Sequence, residues 1–310
     1  MSPVADIYQA QVRLLVQVLP YVAQREEFAL KGGTAINFFF RDAPRLSVDI
    51  DLHYLPACDR DPALTNIDAA LRDIARQTSR AMPDIRVDIR GSTALMQRQQ
   101  AQIKLEVNPV IRGELLPQVH RSLCPNIAKQ FAADIDLRCL DLAELFAGKL
   151  CAALDRQHPR DIFDVKYLLE SEGGLTRDIV DAFLIYLISH SKPIAHVLSP
   201  RLQPLEQAYR TQFRGMANEE IPLETLKQLQ RDLPALIWAS LTDDDKTFLL
   251  GFKRQDPDWS LLRHVHAAQL PAVRWKMQNL ADWREKKPKD YEKGLAKLER
   301  TLLNGPWEES

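Results

Sequence analysis

Apolar and polar residues alternate along this chain in two different rhythms, and the change between them divides it. Ile7 to Val22 repeats at helical spacing, with Val12, Leu15, Val16 and Leu19 on one stripe, and predicts an amphipathic helix. Phe28-Ala29-Leu30 reads as a short buried strand, followed by the turn residues Gly32 and Gly33. Ala35 to Arg41 is apolar enough for a helix, with Thr34 placed to cap it. Val48 to Tyr54 then alternates with period two, so Val48, Ile50 and Leu52 face one way and Asp49 and Asp51 the other. Leu64 to Thr78 returns to the helical rhythm through Ile67, Leu71, Ile74 and Ala75, and Pro83-Asp84 ends it. Ile85 to Ile89 and Ile103 to Val107 predict two further strands, joined by a polar, Gln-rich turn.

The rhythm is helical from Leu142 onward. Leu142 to Leu154 carries the stripe Leu142, Leu145, Phe146, Leu150 and Ala153, with Asp141 and Glu144 spaced like a capping box. Asp161 and Asp164 are three apart behind Pro159 and share a helical face. Beyond Gly173-Gly174, Asp181 to His190, Leu223 to Leu229, Leu236 to Leu241 and Leu261 to Leu270 read as helices separated by prolines. The predicted organisation is an α/β domain over 1–174, with a small mixed sheet, and a helical domain over 175–310.

The chemistry concentrates at the diglycine turn and the next strand. Two glycines let backbone N–H groups approach a phosphate with no Cβ in the way. Two carboxylates on one strand face repel each other unless a cation joins them, and hard oxygen donors at this spacing suit Mg²⁺ shared with substrate phosphates. The pattern points to a site for a metal-bound triphosphate. Glu106, facing outward beside Lys104 on its strand, is the preferred third carboxylate, over Asp88 among its arginines; a Lys104–Glu106 surface pair is the plain alternative. Lys149 falls on or beside the apolar stripe of its helix, where a lysine needs a partner: a triphosphate, or else Asp161 or Asp164 across a helix contact. Arg156 continues that line, toward phosphate or a carboxylate.

Gly32-Gly33-Thr34 followed by Ser47-x-Asp49-x-Asp51 resembles the first motif of the AbiEii/AbiGii toxin nucleotidyltransferases, a branch of the DNA polymerase beta-like superfamily. Lys149 to Arg156 and Arg160-Asp161-Ile-Phe-Asp164 resemble that family's later motifs. The resemblance implies a polymerase beta-like core and a catalytic set of Ser47, Asp49, Lys149 and Asp164, completed by Asp51 and Glu106. It implies two Mg²⁺ ions held by Asp49, Asp51 and Glu106, and an NTP held by Gly32, Gly33, Thr34, Ser47, Lys149 and Arg156. It also implies a toxin of a bacterial toxin–antitoxin pair, linked to phage defence, that modifies tRNA 3′ ends and blocks translation, with an antitoxin partner encoded nearby. Transfer to a small molecule or protein side chain, and an inactive nucleotide-binding module, are the other readings compatible with these residues. Ser47 is read as orienting phosphate or water, or as a site where phosphorylation silences the toxin.

Composition narrows the classes. With 310 residues, 45% hydrophobic, the chain buries a substantial core, and a net charge of -1 excludes coating nucleic acid by bulk charge. Cys58, Cys124, Cys139 and Cys151 lack the close spacing of metal or redox motifs and read as reduced thiols in a cytoplasmic protein. A start without a basic, apolar leader, and the lack of a bilayer-length apolar run, argue against secretion and membrane insertion. His264 and His266 read as ordinary surface or core residues. The basic stretch from Arg274 to Arg300, with Trp275, Trp283 and Tyr291, reads as a solvated helix face with core aromatics in preference to an RNA surface.

Overall fold

The structure, a computed structural model, describes residues 3–171 and 173–307. Contacts divide the chain into two units: Met1–Leu145 with Gln212–Glu220, and Phe146–Thr211 with Ile221–Ser310.

The first unit is built on a seven-stranded mixed sheet. Its strands are β1 (Phe28–Lys31), β2 (Asp49–Tyr54), β3 (Arg86–Arg90), β4 (Thr93–Arg98), β5 (Ala101–Arg112), β6 (Val119–Ser122) and β7 (Asp136–Cys139), in the order β3-β4-β5-β2-β1-β7-β6. β2 lies antiparallel to β1 and parallel to β5, so the strand carrying the aspartates is central. Helix α1 (Pro3–Ala23) buries the predicted stripe of Val12, Leu15, Val16 and Leu19. After β1 the chain enters a single turn, α2 (Gly32–Ala35), which runs on as a π-helical turn over Ile36–Phe40. Helix α3 (Arg60–Ala81) extends the expected segment at both ends and buries Ile67, Leu71 and Ile74, and α4 (Pro125–Phe131) precedes β7.

Two local expectations are corrected here. The Gln-rich segment is not a simple turn: Thr93–Arg98 is strand β4, with Ala94 and Met96 fully buried and Gln97 outward, paired on both edges to β3 and β5. Thr34 does not cap a helix, because the helix starts two residues earlier, at Gly32, and places Thr34 inside it. After Phe146–Thr211 the chain returns to the first unit, where Leu46 N–H donates to the Met216 carbonyl at 2.8 Å and Arg45 bridges Ala217.

The second unit is helical: the later part of α5 (Leu142–Asp155), α6 (Pro159–Ser171), α7 (Arg177–Ile188), α8 (Ile194–Leu198), α9 (Glu206–Gln212), α10 (Leu223–Ser240), α11 (Asp243–Arg254), α12 (Pro271–Lys286) and α13 (Pro288–Asn304). The two helices expected on either side of Pro234 are one, α10, with the proline buried inside it. Leu261 to Leu270 forms short 3₁₀ turns instead of a helix, and His264 and His266 there meet edge to face with ring centres 6.0 Å apart. No helix among the described residues is long and apolar enough to cross a membrane.

Candidate active site

Period two on two parallel neighbours assembles the acidic face. Ile50 and Leu52 of β2, and Ile103, Leu105 and Val107 of β5, are buried, which turns Asp49, Asp51, Lys104 and Glu106 to the other face. The register sets Lys104 beside Asp49 and Glu106 beside Asp51, while β1 sets Lys31 on the other side of Asp51. The result is a row, Lys31, Asp51 and Glu106, across three strands. Asp88, the rival third carboxylate, lies on edge strand β3, paired to Arg90 at 2.7 Å and separated from β2 by β4 and β5. The sheet therefore brings together Asp49, Asp51 and Glu106 and leaves Asp88 out.

The diglycine bend abuts this row. Gly32 has φ +71°, and a Cβ on it would stand 2.4 Å from Asp51 Oδ2. Both the backbone conformation and the space require glycine. A Cβ on Gly33 would stand 2.6 Å from Arg45 Nη2 and 3.0 Å from Ser47 Oγ. Thr34 Oγ1 donates to the Asp49 carbonyl at 2.5 Å and lies 3.0 Å from Ser47 Oγ, so the first turn of the helix is tied to the strand that carries the aspartates. Ser47 and Thr34 are buried, and their hydroxyls act as braces. Gly33 and Thr34 sit where a helix offers no internal acceptors for its N–H groups.

Two cations belong to this site: Lys104, already placed beside Glu106 by the strand alternation, and Arg45, which spacing alone did not single out. Arg45 is 1% exposed, beside Gly33 and Ser47, and its Nη1 donates to the Leu46 carbonyl at 2.8 Å. It directly precedes Leu46-Ser47, but one arginine carries no periodic signal. The Lys104 ammonium bonds Glu106, and its pKa is raised by that bond first, against burial, with the charges of Glu106, Asp49 and Asp51 adding to the rise. The plain surface-pair reading of Lys104 and Glu106 is thus seen together with the acidic cluster, not in place of it. Two residues beyond Asp51 on the same face of β2, His53 is buried, with Nε2 2.6 Å from the Gly113 carbonyl. Burial, then the charge of Lys31, lowers its pKa to about 4, so it is neutral packing.

Among the described residues no three His, Cys, Asp or Glu side chains close into a metal cage. The donors nevertheless fit a hard divalent cation: carboxylates on adjacent strands already draw a lysine ammonium among them. Mg²⁺ needs only one or two protein carboxylates when phosphates supply the remaining oxygens.

In the second unit, Lys149 is buried and its Nζ lies 2.9 Å from Asp161 Oδ1 and 3.0 Å from Asp164 Oδ2. Arg156 adds a two-pronged bond to Asp161, at 2.6 and 2.9 Å. Burial alone would raise the Asp161 carboxyl; Lys149 and Arg156 together hold it well below the usual carboxylate range. The carboxylate partners foreseen as the alternative for Lys149 are the ones it has. Asp161 takes bonds from both Lys149 and Arg156. At the start of α5, Asp141 accepts from Ala143 N–H at 2.8 Å, while the buried Glu144 accepts from Leu116 N–H at 3.0 Å, so Glu144 anchors a loop as well as following a capping spacing.

The first unit is thus a mixed sheet with a glycine bend against a central acidic strand. The model of the family described as nucleotidyl transferase AbiEii toxin, type IV toxin–antitoxin system, matches residues 13–279, and the chain belongs to that family. It is a nucleotidyltransferase of a toxin family. Its structure is similar to MenT4, a nucleotidyltransferase toxin from Mycobacterium tuberculosis H37Rv, with a TM-score of 0.56 and 13% identity over 96% of this chain and 95% of that one. No curated protein sequence matches it. The expected family and the mixed α/β fold are borne out by these findings.

Proposed function

We propose that this nucleotidyltransferase is Mg²⁺-dependent and transfers a nucleoside monophosphate from an NTP to an RNA acceptor, the tRNA 3′ end, releasing pyrophosphate and blocking translation. The observation that carries the reading is the Asp51 carboxylate filling the space a Cβ on Gly32 would need, in register with Glu106. In this reading Asp49, Asp51 and Glu106 would hold two divalent ions, which would supply neutralisation of the charge that develops in phosphoryl transfer. The chain's own part is position. The Gly33 and Thr34 amides cradle phosphate, Ser47 and Thr34 keep the bend against β2, and Arg45 lends positive charge behind it. Lys149 and Arg156 serve the nucleotide and Asp164 the catalytic set by family resemblance, and Lys149 in addition neutralises the two aspartates of its own unit. Membership of a toxin–antitoxin family supports a cognate antitoxin as partner and the cytoplasm as the place of action.

The test is incubation of the purified chain with Mg²⁺, each labelled NTP and total tRNA. Label is expected on tRNA, and Asp49→Ala is expected to reduce it by at least about 100-fold. Label only on small acceptors or on protein would replace the acceptor in this reading, and nucleotide binding without turnover would replace the activity.

A further inference from the structure

The second unit holds a cavity of about 260 Å³ that the proposed reaction does not use. Its walls are Phe252, Trp283, Leu280, Leu298 and the half-exposed Trp275, which opens it to solvent. Two lysines also line it. Lys276 is satisfied: its ammonium donates to the carbonyls of His190, Ser191 and Lys192 at the end of α7. Lys253 is not. Among the described residues its Nζ is buried with no hydrogen-bond partner, lying over the faces of Trp283 at 3.9 Å and Tyr291 at 4.1 Å, with Glu292 acting on it as a charge but not as a hydrogen-bond acceptor.

A buried ammonium with three donors and no acceptor is costly, and the ring faces return only part of that cost. Such a group calls for a counter-ion. Two ammonium groups at one cavity repel a cationic guest, and the apolar walls disfavour a fully hydrated ion such as free phosphate. The volume lies just under the range of about 300 Å³ upward typical of drug-sized pockets, which limits the guest to one or two rings. Gly294 of α13 keeps room beside the ammonium: a Cβ there would stand 3.8 Å from Lys253 Nζ and 3.0 Å from Trp283 Cη2. The Tyr291 hydroxyl donates to the Lys253 carbonyl, which fixes the cage around the charge.

We propose that this cavity binds a small monoanion with a flat apolar body, an aromatic carboxylate in class, whose carboxylate pairs with the Lys253 ammonium while its ring lies among Trp283, Leu280 and Leu298. The site lies wholly within the helical unit and stands or falls separately from the acidic cluster on β2 and β5.

Titration calorimetry of the full chain at pH 7 with indole-3-acetate tests this, with indole-3-acetamide as its neutral counterpart and sodium acetate as the charge without the ring. One-to-one binding of indole-3-acetate is expected, at least about tenfold tighter than either control, as one charge-assisted bond predicts. Lys253→Met is expected to erase the preference for acid over amide, and Gly294→Leu to abolish binding of both by filling the space. Equal affinity for acid and amide, no saturable binding, or an unchanged preference in Lys253→Met would overturn the proposal. The wild-type comparison of acid with amide decides the matter even if neither variant folds.

Discussion

At the residue scale the site turns on Gly32. Its positive φ costs a residue with a Cβ about 1–2 kcal/mol, and the Cβ would also meet the Asp51 carboxylate at 2.4 Å. Gly33 has no positive φ, so a Cβ there meets only the space problem against the Arg45 and Ser47 side chains. Gly32→Ala is therefore expected to lose nucleotidyl transfer by more than about tenfold with a stability loss of about 1–2 kcal/mol, and Gly33→Ala distinctly less of both. Rates of label transfer and urea unfolding check the pair; equal effects at the two positions would contradict the geometry. The glycine and the aspartates were legible in the sequence because a strand's period of two and a turn's need for φ > 0 are local rules. Arg45 was not legible, since its role depends on the return of residues 212–220 to pair beside it.

At the element scale, α5 and α6 carry a buried charge cluster whose members were visible and whose pairing was left open. The spacing of Lys149 on its stripe required a partner, and packing of α6 supplied Asp161 and Asp164. Removing the cation from two buried carboxylates costs about 3–5 kcal/mol, more than a point charge on the surface would. Lys149→Met is expected to lower unfolding stability by that amount, and adding Asp164→Asn to recover part of it; chemical denaturation of the single and double variants is the measurement. A loss below about 1 kcal/mol would mean that the lysine is not the counter-ion of this cluster. Strand β4 and helix α10 escaped sequence reading for opposite reasons. β4 shows Leu95 on the outward face between buried Ala94 and Met96, which blurs the alternation. Pro234 signals a break worth about 3 kcal/mol, but burial of Leu226, Leu233 and Ile237 along the same helix outweighs it.

At the scale of the whole molecule, the buried titratable groups fix how stability follows pH, because each favours the protonation state that folding imposes. His53 is held neutral with its pKa near 4 against 6.5 when unfolded, so the unfolded chain binds the extra proton and stability falls as pH drops below about 6.5. Asp161 extends the loss below the ordinary carboxylate value, since its folded pKa is depressed. On the alkaline side two sets oppose. Lys253 and Lys276 are lowered to about 8 from 10.5, both by burial first, so the unfolded chain again holds more protons and stability rises with pH from about 8. Cys124 and Cys139 are raised by burial to about 11 and 12 from 9.0, and Cys151 is raised further, so above 9 the unfolded chain releases protons that the folded chain keeps. Two groups act alone between 8 and 9, and three act against two above it. The expected profile is a plateau from about 6.5 to 8, a maximum near 9 and a decline beyond, read from urea midpoints under reducing conditions. Lys253→Met is expected to flatten the rise toward 9 and leave the acid limb unchanged; a rise of undiminished slope in that variant would show that its ammonium is solvated and not buried.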